Sequence, residues 1–335
     1  MGGIWFRTRE FGGILSETAG YRSGLALSES QLREFLDESH FGDLWPEGDG
    51  TMRIRSEEFE ELHWYLLHRL GVAPARYEPF PVSAVWHRVR DDPPRAAVFK
   101  PVAEAFNVFL GGQLDADKAL DPRPYVEAMR TAHGPQGALV ALDLVQASAA
   151  VLNNSPWNPN RRRHWKDVRD LEKLFSSERL ESPHGTYFDQ RFANFLAANF
   201  EAVDQIHWRQ FEGLAAEYFK GEGFAVELGP GRGDGGVDIR LWPNDEAKEN
   251  APAAVLIQCK RQQAKISNTV VKALWADVTA ERAGSGLIVT TSGFSPSADA
   301  VRTARDYDIQ EAERDTLKTW VESLRTPGTG FFLGE

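Results

Sequence analysis

The sequence predicts an α/β fold in two parts, a mainly helical α+β region over residues 1–180 and an α/β domain behind it. Three observations carry this. The chain has 335 residues, more than a single domain usually holds. Its 42% hydrophobic content, with 10 Trp, can fill a sizeable core. After about residue 203 the apolar spacing changes, and runs of strand length alternate with helical stripes.

The first 55 residues hold Gly-Gly pairs and the turn-rich Trp45-Pro-Glu-Gly-Asp-Gly around one helical pattern, Ser28–Ser39, with Ser28 or Ser30 as cap and Leu32, Phe35 and Leu36 as its stripe. A stronger helix spans Ser56–Leu70 and stops at Gly71. Val82–Val89 reads as a strand and Pro93-Pro94 as a turn. Val102–Leu110, Pro124–Ala132 and Gly137–Leu152 read as helices, and Arg161-Arg-Arg-His-Trp-Lys opens another that reaches Phe175. The polar stretch from Ser176 to Gly185 is the linker, and Phe188–Val203 a lead-in helix, so that 181–207 joins the two parts. Then come a helix striped by Phe211, Leu214, Ala215, Tyr218 and Phe219, strands at Phe224–Leu228, Val237–Trp242 and Ala253–Lys260, a helix bearing Val270, Leu274 and Val278, a strand at Gly286–Thr291, and a helix started by Ser295-Pro296.

The formal net charge is −11, and neither half of the chain is basic, which argues against a protein that coats nucleic acid through bulk electrostatics and leaves room only for local basic clusters. Cys259 is the single cysteine, so no disulfide framework forms; with no signal-type start and no apolar run of spanning length, the chain reads as cytoplasmic and without membrane. The eight His residues show no zinc-ligand spacing.

Residues two apart on a strand share a face, so Gln258 and Lys260 emerge together at the end of an otherwise apolar strand. Burying them side by side without partners is costly. Asp238, between Val237 and Ile239 and facing away from both, can converge on them if the two strands are adjacent, and Glu212 at the edge of its helix stripe can lean toward the same spot. A carboxylate, a neutral oxygen, the Cys259 backbone carbonyl and substrate phosphate oxygens make a hard site suited to Mg²⁺, with Mn²⁺ as substitute. A lysine beside such a cation orients water and offsets charge, which implies phosphodiester hydrolysis. Cys259 itself faces the other way and reads as core.

Four ordered blocks, Phe211-Glu-Gly-Leu-Ala-Ala-Glu, Gly233-Asp-Gly-Gly-Val-Asp-Ile, Ile257-Gln-Cys-Lys-Arg and Leu287-Ile-Val-Thr-Thr-Ser-Gly-Phe-Ser, closely resemble the Mrr-type catalytic domain of the PD-(D/E)xK restriction-endonuclease superfamily. The resemblance covers Trp208 to Leu324 and implies a mixed central sheet flanked by helices over residues 208–325, with Asp238 as the acidic metal ligand, Gln258 at the D/E position, Lys260 as the catalytic lysine and Glu212 as the helix acid. Gln258 departs from the superfamily's commonest pattern but not from its Mrr-like branch, and lowers the local negative charge.

The nearest basic or hydroxyl groups for nucleic acid are Arg232, Arg261, Lys265, Lys272 and Ser292, with Thr290, Thr291 and Ser295 beside a helix start and Arg161–Arg163 further away. Asp234 shapes its glycine-rich turn. The reading is a metal-dependent endonuclease acting on DNA, with RNA as the open alternative substrate, in restriction or anti-phage defence, its first 180 residues sensing target or signal. The competing readings are a non-cleaving nucleic-acid or effector-sensing module and a structure-specific repair or junction nuclease. The acidic balance also suggests a homodimer or higher oligomer, or an activating ligand or protein partner.

Overall fold

The computed structural model describes residues 2–111, 121–157, 165, 167–231 and 236–325. Its amino-terminal part is built from β1 (Gly3–Arg7), α1 (Thr8–Ser23), β2 (Leu25–Ala26), α2 (Glu29–Asp37), β3 (Thr51–Arg55) and α3 (Ser56–Arg69). β1 and β3 pair antiparallel as a two-stranded ribbon, with Trp5 opposite Arg53. Ser28 caps α2 in a capping box, its hydroxyl accepting the Gln31 N–H while its own N–H donates to the Gln31 side chain. α3 closes where Gly71 takes φ 77° against the Asn194 carbonyl, a place with no room for a Cβ. The Gly12-Gly13 pair, expected in a turn-rich segment, lies inside α1, whose Phe11, Leu15 and Ala19 pack into the core.

Three helices follow, α4 (Pro81–Val89), α5 (Pro93–Gly111) and α6 (Arg123–Asn154), around a core of their own that includes Val85, Phe106, Val140 and Leu144. The expected strand Val82–Val89 is therefore a helix: Pro81 starts it, and Val85 and Val89 are buried in that core, a packing that overrides the alternation of Val82, Ala84 and Trp86. Pro93-Pro94 begins α5 rather than making a turn, as prolines tolerate the first turn of a helix. α6 breaks at Gly134 (φ 68°, ψ −162°) and is, by length and composition alone, long and apolar enough to cross a membrane, unlike any run foreseen from the sequence. Its Val140, Ala141, Leu144 and Val145 are buried against the neighbouring helices.

The helix expected from Arg161 to Phe175 is not continuous: Arg169–Asp170 forms β4, parallel to β2, and among the described residues of that span only α7 (Lys173–Ser176) is helical, while Arg161–Arg163, His164 and Lys166 lie outside them. α8 (Gln190–Ala198) and a 3₁₀ turn (Phe200–Asp204) replace the single lead-in helix. Between α7 and α8 the polar stretch is packed: one Glu217 carboxylate oxygen accepts the N–H groups of Thr186, Tyr187 and Phe188 at 2.9, 2.5 and 3.1 Å. Under it lies a fully buried Arg191, whose guanidinium grips Asp189 through two hydrogen bonds of 2.9 and 2.8 Å and also donates to the Gly24 and Asp167 carbonyls.

The remaining elements are α9 (Trp208–Gly221), β5 (Ala225–Leu228), β6 (Ile239–Trp242), α10 (Asp245–Asn250), β7 (Val255–Lys260), α11 (Asn268–Glu281), β8 (Ser285–Thr290), α12 (Pro296–Ala304), β9 (Ile309–Ala312) and α13 (Arg314–Leu324). The strands form one mixed sheet in the order β5-β6-β7-β8-β9, antiparallel through β7 and parallel beyond it. One face (Ile239, Ile257, Cys259, Val289) joins Phe211, Leu214 and Leu317 in a core that continues through α8 to Phe11 and Leu62 of the amino-terminal part. The other face (Leu256, Ile288) is covered by Val271, Leu274 and Val278 of α11 and Ala298 of α12. Edge β9 and helix α13 were not foreseen from the sequence.

Candidate active site

The carboxyl end of β7 is where the polar residues gather. Leu256, Ile257 and Cys259 are buried in the sheet, and the in-register parallel pairs Gln258 with Ile288 and Lys260 with Thr290 carry the strand to its end. The Lys260 carbonyl there accepts the Thr290 hydroxyl at 2.9 Å. Lys260 is half-buried, and its ammonium has no ion-pair partner among the described residues.

Asp238 enters from the turn before β6. Its N–H donates to the Ile257 carbonyl at 2.9 Å and its carbonyl accepts the Gly229 N–H at 2.8 Å, so both sides of its backbone are fixed. Val237 packs in one layer and Ile239 in the other, so Asp238 sits where the chain twists into the sheet, rather than on a regular pleat facing away from both neighbours. Its carboxylate accepts the Cys259 N–H at 2.6 Å. By strand parity the Cys259 carbonyl, expected as a metal ligand, lies on this same β6-facing edge of β7, because Ile257 two residues earlier bonds Asp238 there. Cys259 sulfur is buried, and burial followed by the Asp238 and Glu212 charges pushes its thiol pKa well up, which leaves it a core group and not a nucleophile.

Glu212 projects from α9, one residue after Phe211 on the buried face, and is itself buried. Burial first, and then the neighbouring Asp238 carboxylate in hydrogen-bond contact with it, push its pKa up to about 8 against the pull of Arg209. Two carboxyl groups in contact out of water thus share one proton or one cation. Arg209, not singled out from the sequence, donates to Glu212 Oε2 at 2.7 Å and to the Gly229 carbonyl at 2.7 Å, joining the helix acid to the turn that delivers Asp238. Its spacing of three residues before Glu212 on a helix was the available signal. Gly231 (φ 87°) leaves room for that guanidinium.

Gln258 is buried, and its Oε1 has no hydrogen-bond partner among the described residues. Its amide nitrogen lies where a Cβ on Gly236 (φ 102°) would crowd it, so the glycine keeps the turn close to the amide. A buried amide oxygen left unmade costs about 1–3 kcal/mol, unless a ligand completes it. That orphan oxygen, the Asp238–Glu212 pair and the Cys259 carbonyl are all hard oxygen donors and fit a divalent cation of the Mg²⁺ or Mn²⁺ kind. Among the described residues no group of three His, Cys, Asp or Glu side chains could hold a metal, so an amide and backbone must complete any such shell.

The predicted nucleic-acid contacts divide. Arg232 and Asp234 lie outside the described residues. Arg261 is turned inward, donating to the Asp204 carbonyl at 2.7 Å and tying β7 to the 3₁₀ turn. Ser292 donates to the Ala264 carbonyl at 2.9 Å, Thr291 bonds the Gln262 backbone, and Ser295 caps α12, so these hydroxyls hold loops together. Lys265 and Lys272 are exposed and without ion-pair partners among the described residues.

Residues 203–321 match the Mrr_cat family, described as restriction endonuclease. A protein of Sinorhizobium fredii (strain NBRC 101917 / NGR234), described as uncharacterized protein y4cE, is 30% identical over 132 residues, which make up 39% of this chain and 34% of that protein. The chain thus spans about a third of the length of that relative. No solved structure matches it. The carboxyl-terminal part is therefore similar to restriction endonucleases of the Mrr type in both sequence and architecture, a nuclease domain for which DNA is the implied substrate.

Proposed function

We propose, starting from that match, that the chain is a divalent-metal-dependent endonuclease that hydrolyses DNA phosphodiester bonds at the end of β7. The observation that carries the reading is the buried, unpartnered Gln258 Oε1 on the strand that ends in Lys260, beside two carboxyl groups forced together. Asp238, Glu212, Gln258 and the Cys259 carbonyl would hold the cation. When bound, it supplies a Lewis acid for a phosphate oxygen and a more acidic water. Lys260 donates hydrogen bonds from its ammonium to the attacking water and to the phosphate, offsetting charge as it builds. Arg209 keeps Glu212 facing Asp238. The Cys259 N–H fixes one Asp238 oxygen.

In this reading residues 208–325 are the nuclease unit and residues 1–180 the recognition or regulatory unit, acting in the cytoplasm in restriction or anti-phage defence, with a homodimer or a signal as the source of control. Plasmid cleavage by the full chain with Mg²⁺, with Mn²⁺ and with EDTA, beside Lys260→Ala, tests the chemistry. The expectation is metal-dependent cutting that falls by about 10²–10³-fold in the variant. Cutting that persists in EDTA, or that survives Lys260→Ala unchanged, overturns it.

A further inference from the structure

The β1–β3 ribbon has an inner face, Ile4, Phe6, Met52 and Ile54, that is anchored in the core, with Phe6 against Phe11 and Phe59 at ring separations of 5.4 and 5.3 Å. Its outer face is Gly3, Trp5 and Arg7 on one strand and Thr51, Arg53 and Arg55 on the other, every one exposed. Three arginines and a tryptophan that is 66% exposed therefore stand on one small surface whose two strands contain no carboxylate, in a chain of net charge −11. The exposed Arg9 extends it into α1. The flanking acids are Glu10, which meets Arg7 at 3.4 Å, the exposed Asp49 in the turn before β3, and Glu57 and Glu58 at the start of α3. Arg53 and Arg55 have no ion-pair partner among the described residues, and the Arg53 guanidinium lies across Gly3, where a side chain would obstruct it.

An exposed indole beside guanidinium groups of which only that of Arg7 has an ion-pair partner among the described residues gains little in water. Each gains on a polyanion that also offers apolar or aromatic surface, because guanidinium groups pair with phosphates while the ring contacts bases or sugars. We propose that this ribbon is a second DNA-contacting surface, separate from the cleavage site, which lays Arg7, Arg53 and Arg55 on the phosphates of a duplex with Trp5 against its groove. A two-stranded ribbon is of a size the major groove admits. The inference rests on the DNA-cleaving reading for the identity of the partner. Duplex DNA is favoured over an anionic lipid surface because the same chain carries the nuclease domain.

The test measures binding of the full chain to a fluorescein-labelled duplex in EDTA, where no cutting is needed, over a series of salt concentrations. The proteins are wild type, Arg53→Ala/Arg55→Ala, Arg53→Lys/Arg55→Lys, Trp5→Ala and, as a control on a distant exposed arginine, Arg130→Ala. The expected result is a salt slope reduced by about 0.9 for each lost phosphate contact in the alanine pair and restored in the lysine pair. Trp5→Ala should weaken binding with the slope intact, and Arg130→Ala should match wild type. An unchanged slope in the alanine pair, or no duplex binding by wild type, overturns the proposal. So does a loss that appears only on phosphatidylserine vesicles. A nuclease reading that fails in the Lys260→Ala assay leaves this binding result standing, and the reverse also holds.

Discussion

Two buried acidic centres in this molecule are built in opposite ways. At Asp189, burial pushes the carboxyl pKa up, but hydrogen bonds from Arg191 and Ser182 and the Arg191 charge outweigh it and hold the pKa below the usual carboxylate range. Arg169 adds a further contact at 3.0 Å. At Glu212, burial is joined by a second carboxylate, and Arg209 alone cannot compensate. The first centre has its countercharges covalently present in the chain. The second sets two carboxyl groups in contact beside the ion pair of Arg209 with Glu212, and the orphan Gln258 oxygen belongs to a side chain that packs against the turn leading into Asp238. Satisfied buried charge fixes how α8 meets the amino-terminal part, whereas two buried carboxyl groups in contact are what the proposed function assigns to a cation.

The largest effect that would break this contrast is expected at the satisfied centre. Arg191→Ala leaves Asp189 ionised and buried with Arg169, Ser182 and the residue 191 backbone N–H as its partners, and removes the donors to Gly24 and Asp167. The expected cost is about 3–5 kcal/mol of stability, read as a lower urea midpoint. Arg191→Lys should recover part of it, since the charge remains while the planar fork is lost. A midpoint within error of wild type would mean that the network contributes nothing to stability.

A second buried ionisable group sharpens the comparison, because His63 is fully buried and has no carboxylate partner among the described residues. Burial, followed by hydrogen bonds to the Thr18 and Asn154 backbone that act against it, leaves its pKa lowered to about 4 from 6.5. The folded protein keeps this imidazole neutral while the unfolded chain protonates it below pH 6.5, so the unfolded state binds more protons between those two values. Stability is complete above pH 6.5 and falls as pH drops toward 4, by about 3 kcal/mol in all. Across that range the wild-type urea midpoint should fall relative to that of His63→Leu as acid is added. Parallel curves would show that His63 titrates normally in the fold.

The legibility of the chain followed the density of special residues. Around the carboxyl end, glycine turns, a polar strand terminus and a capped proline helix each limit the options, and the first four strands of the sheet fall within a few residues of their expected places. In the amino-terminal part such punctuation places only the start of α2 and the end of α3. At Val82–Val89 an apolar alternation fits a strand locally, and only packing against α5 and α6 makes it a helix. α1 was hidden because its glycines read as turn formers, while tertiary contacts from Phe11 and Leu15 outweigh that propensity. At the site, residue types pointed to Asp238, Gln258, Lys260 and Glu212, but neither the twist that turns Asp238 toward Glu212 nor the Arg209 clasp can be read from spacing, because both depend on how the turn before β6 meets α9.

The smallest expected effect separates the two centres most sharply, because it has the opposite sign. Asp238→Asn retains an oxygen to accept the Cys259 N–H and removes the charge that opposes ionised Glu212. Without metal the variant should be more stable than wild type by about 1 kcal/mol, although cleavage is lost. Added Mg²⁺ should then raise the wild-type urea midpoint, as a ligand that binds only the folded state must, and leave the variant's unchanged. At Asp189 the same replacement removes a paired charge and should destabilise. If Asp238→Asn also destabilises the metal-free protein, the carboxylate pair is already compensated within the chain, and the argument that this centre is short of a cation fails.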